Sequence, residues 1–159
     1  MHTGRPAQGQ RGFTLIELLV VMAVLGLLSL AVFPLAEMNS RRERERELRH
    51  ALWEIRDAID AYKKAVDAGQ ARRATPTGYP PDLLALVQGG AVSQAGQPLY
   101  FLRRLPRDPF ADPALPAAAT WGLRSFASPP EAPRYTDDVF DVYSQAAGTG
   151  LNGLPLREW

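Results

Sequence analysis

A long apolar run near the start of the chain dominates its pattern of hydrophobic and polar positions. Between residues 13 and 38 nearly every residue is apolar, small or hydroxylic, and the acidic Glu17 lies close to the start of the run. A helix of about 20 such residues is long enough to span the hydrocarbon core of a bilayer. The pattern therefore predicts a transmembrane helix over 13–38, in which the carboxylate of Glu17 is costly unless it has a partner.

An amphipathic pattern follows the apolar run. Beyond a block of arginine and glutamate at 41–47, apolar residues recur every three or four positions, at Leu48, Leu52, Ile55, Ile59, Tyr62 and Val66. This spacing predicts an amphipathic helix over 39–68 that continues the first and ends near Gly69. Its apolar stripe is a surface for a small domain to cover.

The remaining residues, 69–159, predict a small globular domain. A short helix is expected at 83–87 with Asp82 as its N-cap, and strands at 121–126 and 139–144, with a third near 154–159. Proline dominates 105–133, so regular structure there must be brief. The predicted fold class is α+β, a long N-terminal helix packed on a small antiparallel sheet.

Composition and charge restrict the classes of function that this chain can have. The 159 residues carry a net charge of +1 and no cysteine, which gives no reason to expect nucleic acid as a partner and excludes disulfides and thiolate metal sites. The only histidines are His2 and His50, and Asp82, Asp108 and Asp112 each adjoin a proline, which is typical of turns. No catalytic constellation is visible, so we expect no enzyme.

The position of Gly12 separates this N-terminus from an ordinary secretory signal. The apolar run is too long for such a signal, and no convincing small-residue cleavage site follows it. Cleavage after Gly12 would remove a basic leader, 1–12, and leave the helix on the mature protein. Arg5 and Arg11 place that leader on the cytoplasmic side, so the part from about residue 39 would lie outside.

The segment Gly12-Phe13-Thr14-Leu15-Ile16-Glu17 resembles the class III signal of type IV pilins and type II secretion pseudopilins. This resemblance implies that a prepilin peptidase cuts after Gly12 and that the new amine of Phe13 is methylated. It also implies that Glu17 is the assembly residue. Pro34 occupies a position where these helices commonly carry a proline.

Three further segments resemble the major pseudopilin of type II secretion. They are 79–87, 100–110 and 139–144, and the second reads YFLRRLPRDPF where the relatives have YLKKLPKDPWG. The resemblance implies a structural subunit of a filament that helps to export folded proteins. Its implied partners are other copies of the chain, minor pseudopilins, an assembly platform in the inner membrane and the peptidase. The chain would cross the bacterial inner membrane once, with its C-terminal domain in the periplasm.

In these relatives an acidic C-terminal loop holds a calcium ion. Here Asp137, Asp138, Asp141 and Asn152 offer the hard oxygen ligands that calcium prefers. The segment 144–150 departs from the relatives' SLGADG and lacks its aspartate. The alternative interpretation is a loop held by its own turns, with Asp138 or Asp141 accepting backbone hydrogen bonds.

The sequence also leaves open the role of the charged block and the class of the protein. The block at 41–47 is either a solvated helix face or a set of salt bridges between subunits. The chain as a whole could instead be a type IV pilin or minor pilin-like subunit. From another class, it could be a single-pass protein that displays a periplasmic binding domain.

Overall fold

The computed structural model describes residues 13–159, and for 30–36 it describes the backbone without the side chains. The predicted leader 1–12, with Gly12, lies outside the described residues. The chain divides after Arg41 into two compact units. Each unit is described by itself below.

The helix α1 runs from Leu15 to Asp67, close to the predicted bounds. It ends because Gly69 adopts a left-handed backbone, with φ of 69°, which glycine reaches without steric cost. The N–H groups of Gly69 and Gln70 then donate to the carbonyls of Val66 and Ala65, at 3.0 and 2.8 Å. These two bonds form the Schellman pattern that satisfies the last carbonyls of a helix.

In the N-terminal unit, the side chains of 13–29 are exposed. They include large apolar residues along the first turns of α1, such as Leu15, Ile16 and Leu19. Within the described part of the chain, no helix combines the length and the apolar character needed to cross a membrane.

The second unit is built on the predicted apolar stripe of α1. All six stripe residues are buried, from Leu48 to Val66. The domain covers them with Leu83, Leu86, Leu102, Trp121, Val139, Val142 and Leu156, which belong to the same core cluster. Burial of each large aliphatic side chain stabilises the fold by about 1.5–3 kcal/mol relative to exposure.

Two antiparallel pairs of strands complete the domain. The strands β1 (Ala91–Val92) and β2 (Pro98–Leu99) form a small pair that was not predicted. The strands β3 (Trp121–Arg124) and β4 (Asp141–Ser144) confirm the two strands expected from sequence, with Trp121 opposite Ser144. The α+β class is therefore confirmed, with two small sheets where one was expected.

The predicted third strand near 154–159 is wrong. Leu156–Glu158 forms a 3₁₀-helix instead. A single antiparallel bridge joins Thr149 and Pro155, and the N–H of Leu156 donates to the carbonyl of Gly148 as part of it. No ladder follows, because the next residues turn into the 3₁₀-helix. The side chain of Leu156 is buried all the same, so the apolar pattern indicated burial correctly, although only one residue of the segment is bridged to another part of the chain.

The predicted short helix at 83–87 is a single 3₁₀ turn, Leu84–Leu86. A carboxylate oxygen of Asp82 accepts the N–H of Ala85 at 2.8 Å. The N-cap position is Leu83, one residue later than predicted, but the carboxylate of Asp82 still closes the turn from the preceding position.

Candidate assembly site and C-terminal loop

The first turn of α1 is closed by Thr14 and Glu17. The N–H of Glu17 donates to the hydroxyl of Thr14 at 3.3 Å, and the N–H of Thr14 points to a carboxylate oxygen of Glu17 at 3.5 Å. This reciprocal pair is a capping box, which satisfies two N–H groups that the helix cannot pair internally. The pattern Thr-x-x-Glu is the sequence signal by which this cap could have been found.

The carboxylate of Glu17 remains accessible despite the cap. Its side chain is exposed, and its bond to Thr14 is at the long limit for a hydrogen bond. A negative charge in the first turn also interacts favourably with the helix dipole. The geometry thus leaves Glu17 able to accept a strong donor from outside the chain.

Some side chains of the charged block at 41–47 are exposed to solvent, and others pack against the domain. Arg46 and Glu43 form an exposed ion pair at 2.7 Å, three residues apart on the helix, while Arg44 lies over the ring of Phe110 at 5.9 Å. Glu45 is buried, with 3% of its surface exposed. The block is therefore not uniformly a solvated face.

Glu45 holds the C-terminal loop against α1. One of its carboxylate oxygens accepts the N–H of Leu151 at 2.8 Å. In the same loop, a Cβ on Gly150 would overlap the ring of Trp159. The loop therefore needs glycine at position 150 and a buried acceptor on the helix.

Arg56 of α1 joins three separate parts of the C-terminal region. Its guanidinium donates to a carboxylate oxygen of Asp141 at 2.8 Å, to the carbonyl of Val142 at 3.1 Å and to the main-chain oxygen of Trp159 at 2.8 Å. Arg124 donates to the second carboxylate oxygen of Asp141 at 3.0 Å. Both oxygens of Asp141 are therefore occupied by guanidinium groups.

Two of the other three candidate calcium ligands, Asp138 and Asn152, also have partners within the protein. Asp138 is buried and accepts the hydroxyl of Thr77 and the N–H of Phe126. The side-chain oxygen of Asn152 accepts the N–H of Leu154 at 3.1 Å, within its own turn. Asp137 is exposed.

These four residues do not fit a calcium ion as a set. Within the described residues, no three histidine, cysteine, aspartate or glutamate side chains are grouped so that they could hold a metal ion. The hydrogen bonds of Asp138 and Asp141 match the alternative interpretation of a loop held by its own contacts. Calcium binding at this loop stays a prediction that the side-chain arrangement does not support.

Comparison with known proteins finds two similarities. A family described as "Prokaryotic N-terminal methylation motif", the signature of pilins and pseudopilins, matches residues 8–33. These residues contain the predicted cleavage position and both members of the capping box.

The second similarity covers more of the chain. Type II secretion system core protein G of Klebsiella michiganensis is 28% identical over 109 residues, which cover 65% of this chain and 70% of the relative. No solved structure matches the chain significantly. The two similarities confirm the resemblance to pseudopilins and do not favour the type IV pilin or the membrane-anchored binding domain.

Proposed function

We propose that this chain is a structural subunit of a type II secretion pseudopilus, processed after Gly12 and assembled through its N-terminal helix. The observation that carries the proposal is the exposed Glu17 in the first turn of a helix that carries the methylation motif. The similarity to core protein G supports the same conclusion. The role is structural, so the chain is a substrate of the prepilin peptidase and not an enzyme.

Pairing of Glu17 with a neighbouring subunit is the proposed driving step. Cleavage after Gly12 frees the amine of Phe13, which methylation leaves basic. A lone carboxylate is costly in lipid, and the bond to Thr14 satisfies it only weakly. The Phe13 amine of the next subunit supplies an opposite charge at the same membrane depth. The exposed apolar side chains of α1 then pack against those of other copies.

The rest of the chain fits this arrangement. The N-terminal part of α1 anchors the subunit in the inner membrane, and the domain lies in the periplasm, where it meets minor pseudopilins and the assembly platform. Exposed charges of the 41–47 block, such as Glu43 and Arg46, are placed to exchange their local pair for salt bridges between subunits. Such pairs act on register more than on affinity.

The test is a charge-removing change at the assembly residue. Glu17→Gln keeps the size of the side chain and removes its charge. We expect normal leader cleavage by mass spectrometry but no filaments by electron microscopy, in cells that carry the rest of the secretion apparatus. Filament yield equal to that of the wild type would contradict the proposal.

Two control variants separate pairing from other effects. Glu54→Gln removes the charge of an exposed glutamate on the same helix, outside the 41–47 block, and we expect it to assemble. Thr14→Ala breaks the other half of the capping box and costs about 1 kcal/mol of helix stability. If Thr14→Ala abolished assembly as fully as Glu17→Gln, a capping role alone would explain Glu17.

A further inference from the structure

The C-terminal region of this chain is gathered around the guanidinium of Arg56. The three oxygens that it binds are one carboxylate oxygen and two main-chain oxygens, from Asp141, Val142 and Trp159. Carboxylate and carbonyl oxygens are also the ligands that calcium takes in proteins. Here the distances of 2.8–3.1 Å are those of charge-assisted hydrogen bonds.

A second guanidinium completes the arrangement. Arg124 binds the remaining oxygen of Asp141, and its side chain is only 15% exposed. Arg124 also lies over the ring of Phe140 at 4.7 Å, which restricts its position. Asp141 therefore already faces two positive charges, and a divalent cation placed beside it would be repelled by both.

The contacts of Arg56 connect positions that are far apart in the chain. Its partners lie between 85 and 103 positions after Arg56 in the sequence. Nearby, Arg49 lies over the ring of Trp159 at 4.5 Å. The guanidinium thus fastens the strand β4 and the C-terminal 3₁₀ turn to the same stretch of helix.

We infer that Arg56 takes the place of a bound cation in this chain, so that the C-terminal region is held to α1 without calcium. The planar fork of arginine suits this role because one group reaches several oxygens at once. The charge is permanent, since arginine stays protonated at all physiological pH values. The domain is therefore stable in the same form whether calcium is present or chelated.

The test is thermal unfolding of the full chain in detergent micelles, followed by near-ultraviolet circular dichroism. We expect the wild type to unfold at the same temperature in excess EDTA and in millimolar calcium chloride. A calcium-dependent rise in the midpoint of more than about 3 °C, which corresponds to a ligand that stabilises the native state, would overturn the inference.

Variants of Arg56 test its own contribution. Arg56→Met keeps the length of the side chain and removes the charge, and we expect the midpoint to fall by about 5 °C or more. The matched control Arg46→Met changes an arginine of the same helix that is 70% exposed, and its midpoint should stay within about 1 °C of the wild type. Equal midpoints for the two variants would contradict a fastening role for Arg56.

A conservative variant keeps the inference testable if Arg56→Met fails to fold. Arg56→Lys retains the charge but cannot reach all three oxygens with one fork. We expect a midpoint between those of the wild type and the unfolded or destabilised Met variant. A lysine variant as stable as the wild type would show that the fork geometry is unimportant. These measurements do not involve assembly, so their outcome is independent of the proposed filament.

Discussion

The hydroxyl of Tyr62 is an unusual feature of the core. The side chain is fully buried on α1, and its oxygen is one of two buried side-chain polar atoms without a partner in the part of the chain that the structure describes. Burial raises the pKa of Tyr62, and the negative charge of Asp82 raises it further. The ring centroids of Tyr62 and Phe101 are 5.4 Å apart. The surroundings of the Tyr62 side chain therefore suit its aromatic ring better than its hydroxyl.

Tyr62→Phe is expected to leave the free energy of unfolding unchanged or to raise it by about 1 kcal/mol, because a buried unpaired hydroxyl costs that much or more. Chemical denaturation at neutral pH measures this. As a control, Tyr135→Phe removes a hydroxyl that donates to the carbonyl of Pro81 at 2.8 Å, and it should lower stability by up to about 1 kcal/mol. A loss of more than about 1 kcal/mol in Tyr62→Phe would reveal an unseen partner for the hydroxyl.

The pKa of Tyr62 also predicts a response to alkali. Because the folded-state pKa lies above the usual value of about 10, folding favours the neutral phenol over the phenolate. Relative to the phenolate, the neutral form contributes stability that is fully present below about pH 10. That contribution is lost as the pH rises through the folded-state pKa. Burial also raises the pKa of Tyr79. Between pH 9 and 11, the free energy of unfolding should therefore fall less steeply with pH in Tyr62→Phe than in the wild type. It should not become independent of pH, because Tyr79 still titrates. Identical slopes for variant and wild type would contradict the assignment.

Single residues differ in how far the sequence reveals them. Gly12, Phe13 and Glu17 could be predicted as functional residues because one short motif contains all three. Arg56 carries no comparable signal, since its partners lie at least 85 positions away and only the folded chain brings them together. The sequence also indicated Asp138 and Asp141 as possible calcium ligands. It could not show that the oxygens of these side chains already accept hydrogen bonds from hydroxyl, N–H and guanidinium groups.

At the scale of elements, the strand pair β3–β4 contains an aromatic ring that packs over a glycine of the neighbouring strand. Gly122 lies opposite Tyr143, and a Cβ on Gly122 would overlap the tyrosine ring. The ring therefore covers the strand where glycine provides no side chain. Any larger residue at position 122 forces the ring to move.

Gly122→Ala is expected to lower the free energy of unfolding by about 1–3 kcal/mol, which is typical of overpacking. Denaturant unfolding of the full chain in detergent measures the change. In a Tyr143→Ala background the added methyl group has room, so the same glycine change should cost much less. If the two costs were equal, backbone strain and not the ring would be the cause.

The elements were predictable where a pattern extends over many residues. The stripe of α1 repeats over several turns, and its end is marked by Gly69. The strands β3 and β4 are short but rich in aromatic and β-branched residues. The pair β1–β2 has two residues a strand and contains Pro98, so no periodicity could indicate it. At 154–159 the backbone makes one isolated bridge, at Pro155, and then turns into a 3₁₀-helix, which the apolar residues alone could not indicate.

At the scale of the whole molecule, the two units present different surfaces. The N-terminal unit exposes apolar side chains along 13–29, whereas the second unit buries its apolar stripe in its own core. Trp53 is an exception on the second unit, because 75% of its surface is exposed on α1. Trp121, by contrast, is buried and donates its indole N–H to the carbonyl of Pro106 at 2.9 Å.

Trp53 is therefore expected to report the packing of neighbouring subunits. If α1 helices pack side by side in the filament, Trp53 moves from water into a less polar environment and its fluorescence emission shifts to shorter wavelength. Emission spectra of purified filaments and detergent-solubilised subunits make the comparison. Trp53→Phe should remove the shift, and Glu17→Gln should show none if, as proposed, it fails to assemble. Assembled wild-type filaments without a shift would place Trp53 away from the subunit contacts.

The contacts of the C-terminal region with α1 also determine when the domain can close. Leu151 reaches Glu45 and Trp159 reaches Arg56 across 106 and 103 positions. Loops of that length are slow to close, and they cannot close before their last residues have left the ribosome. The helix is complete long before that moment. The domain therefore closes only after residues 141–159 have followed α1 out of the ribosome.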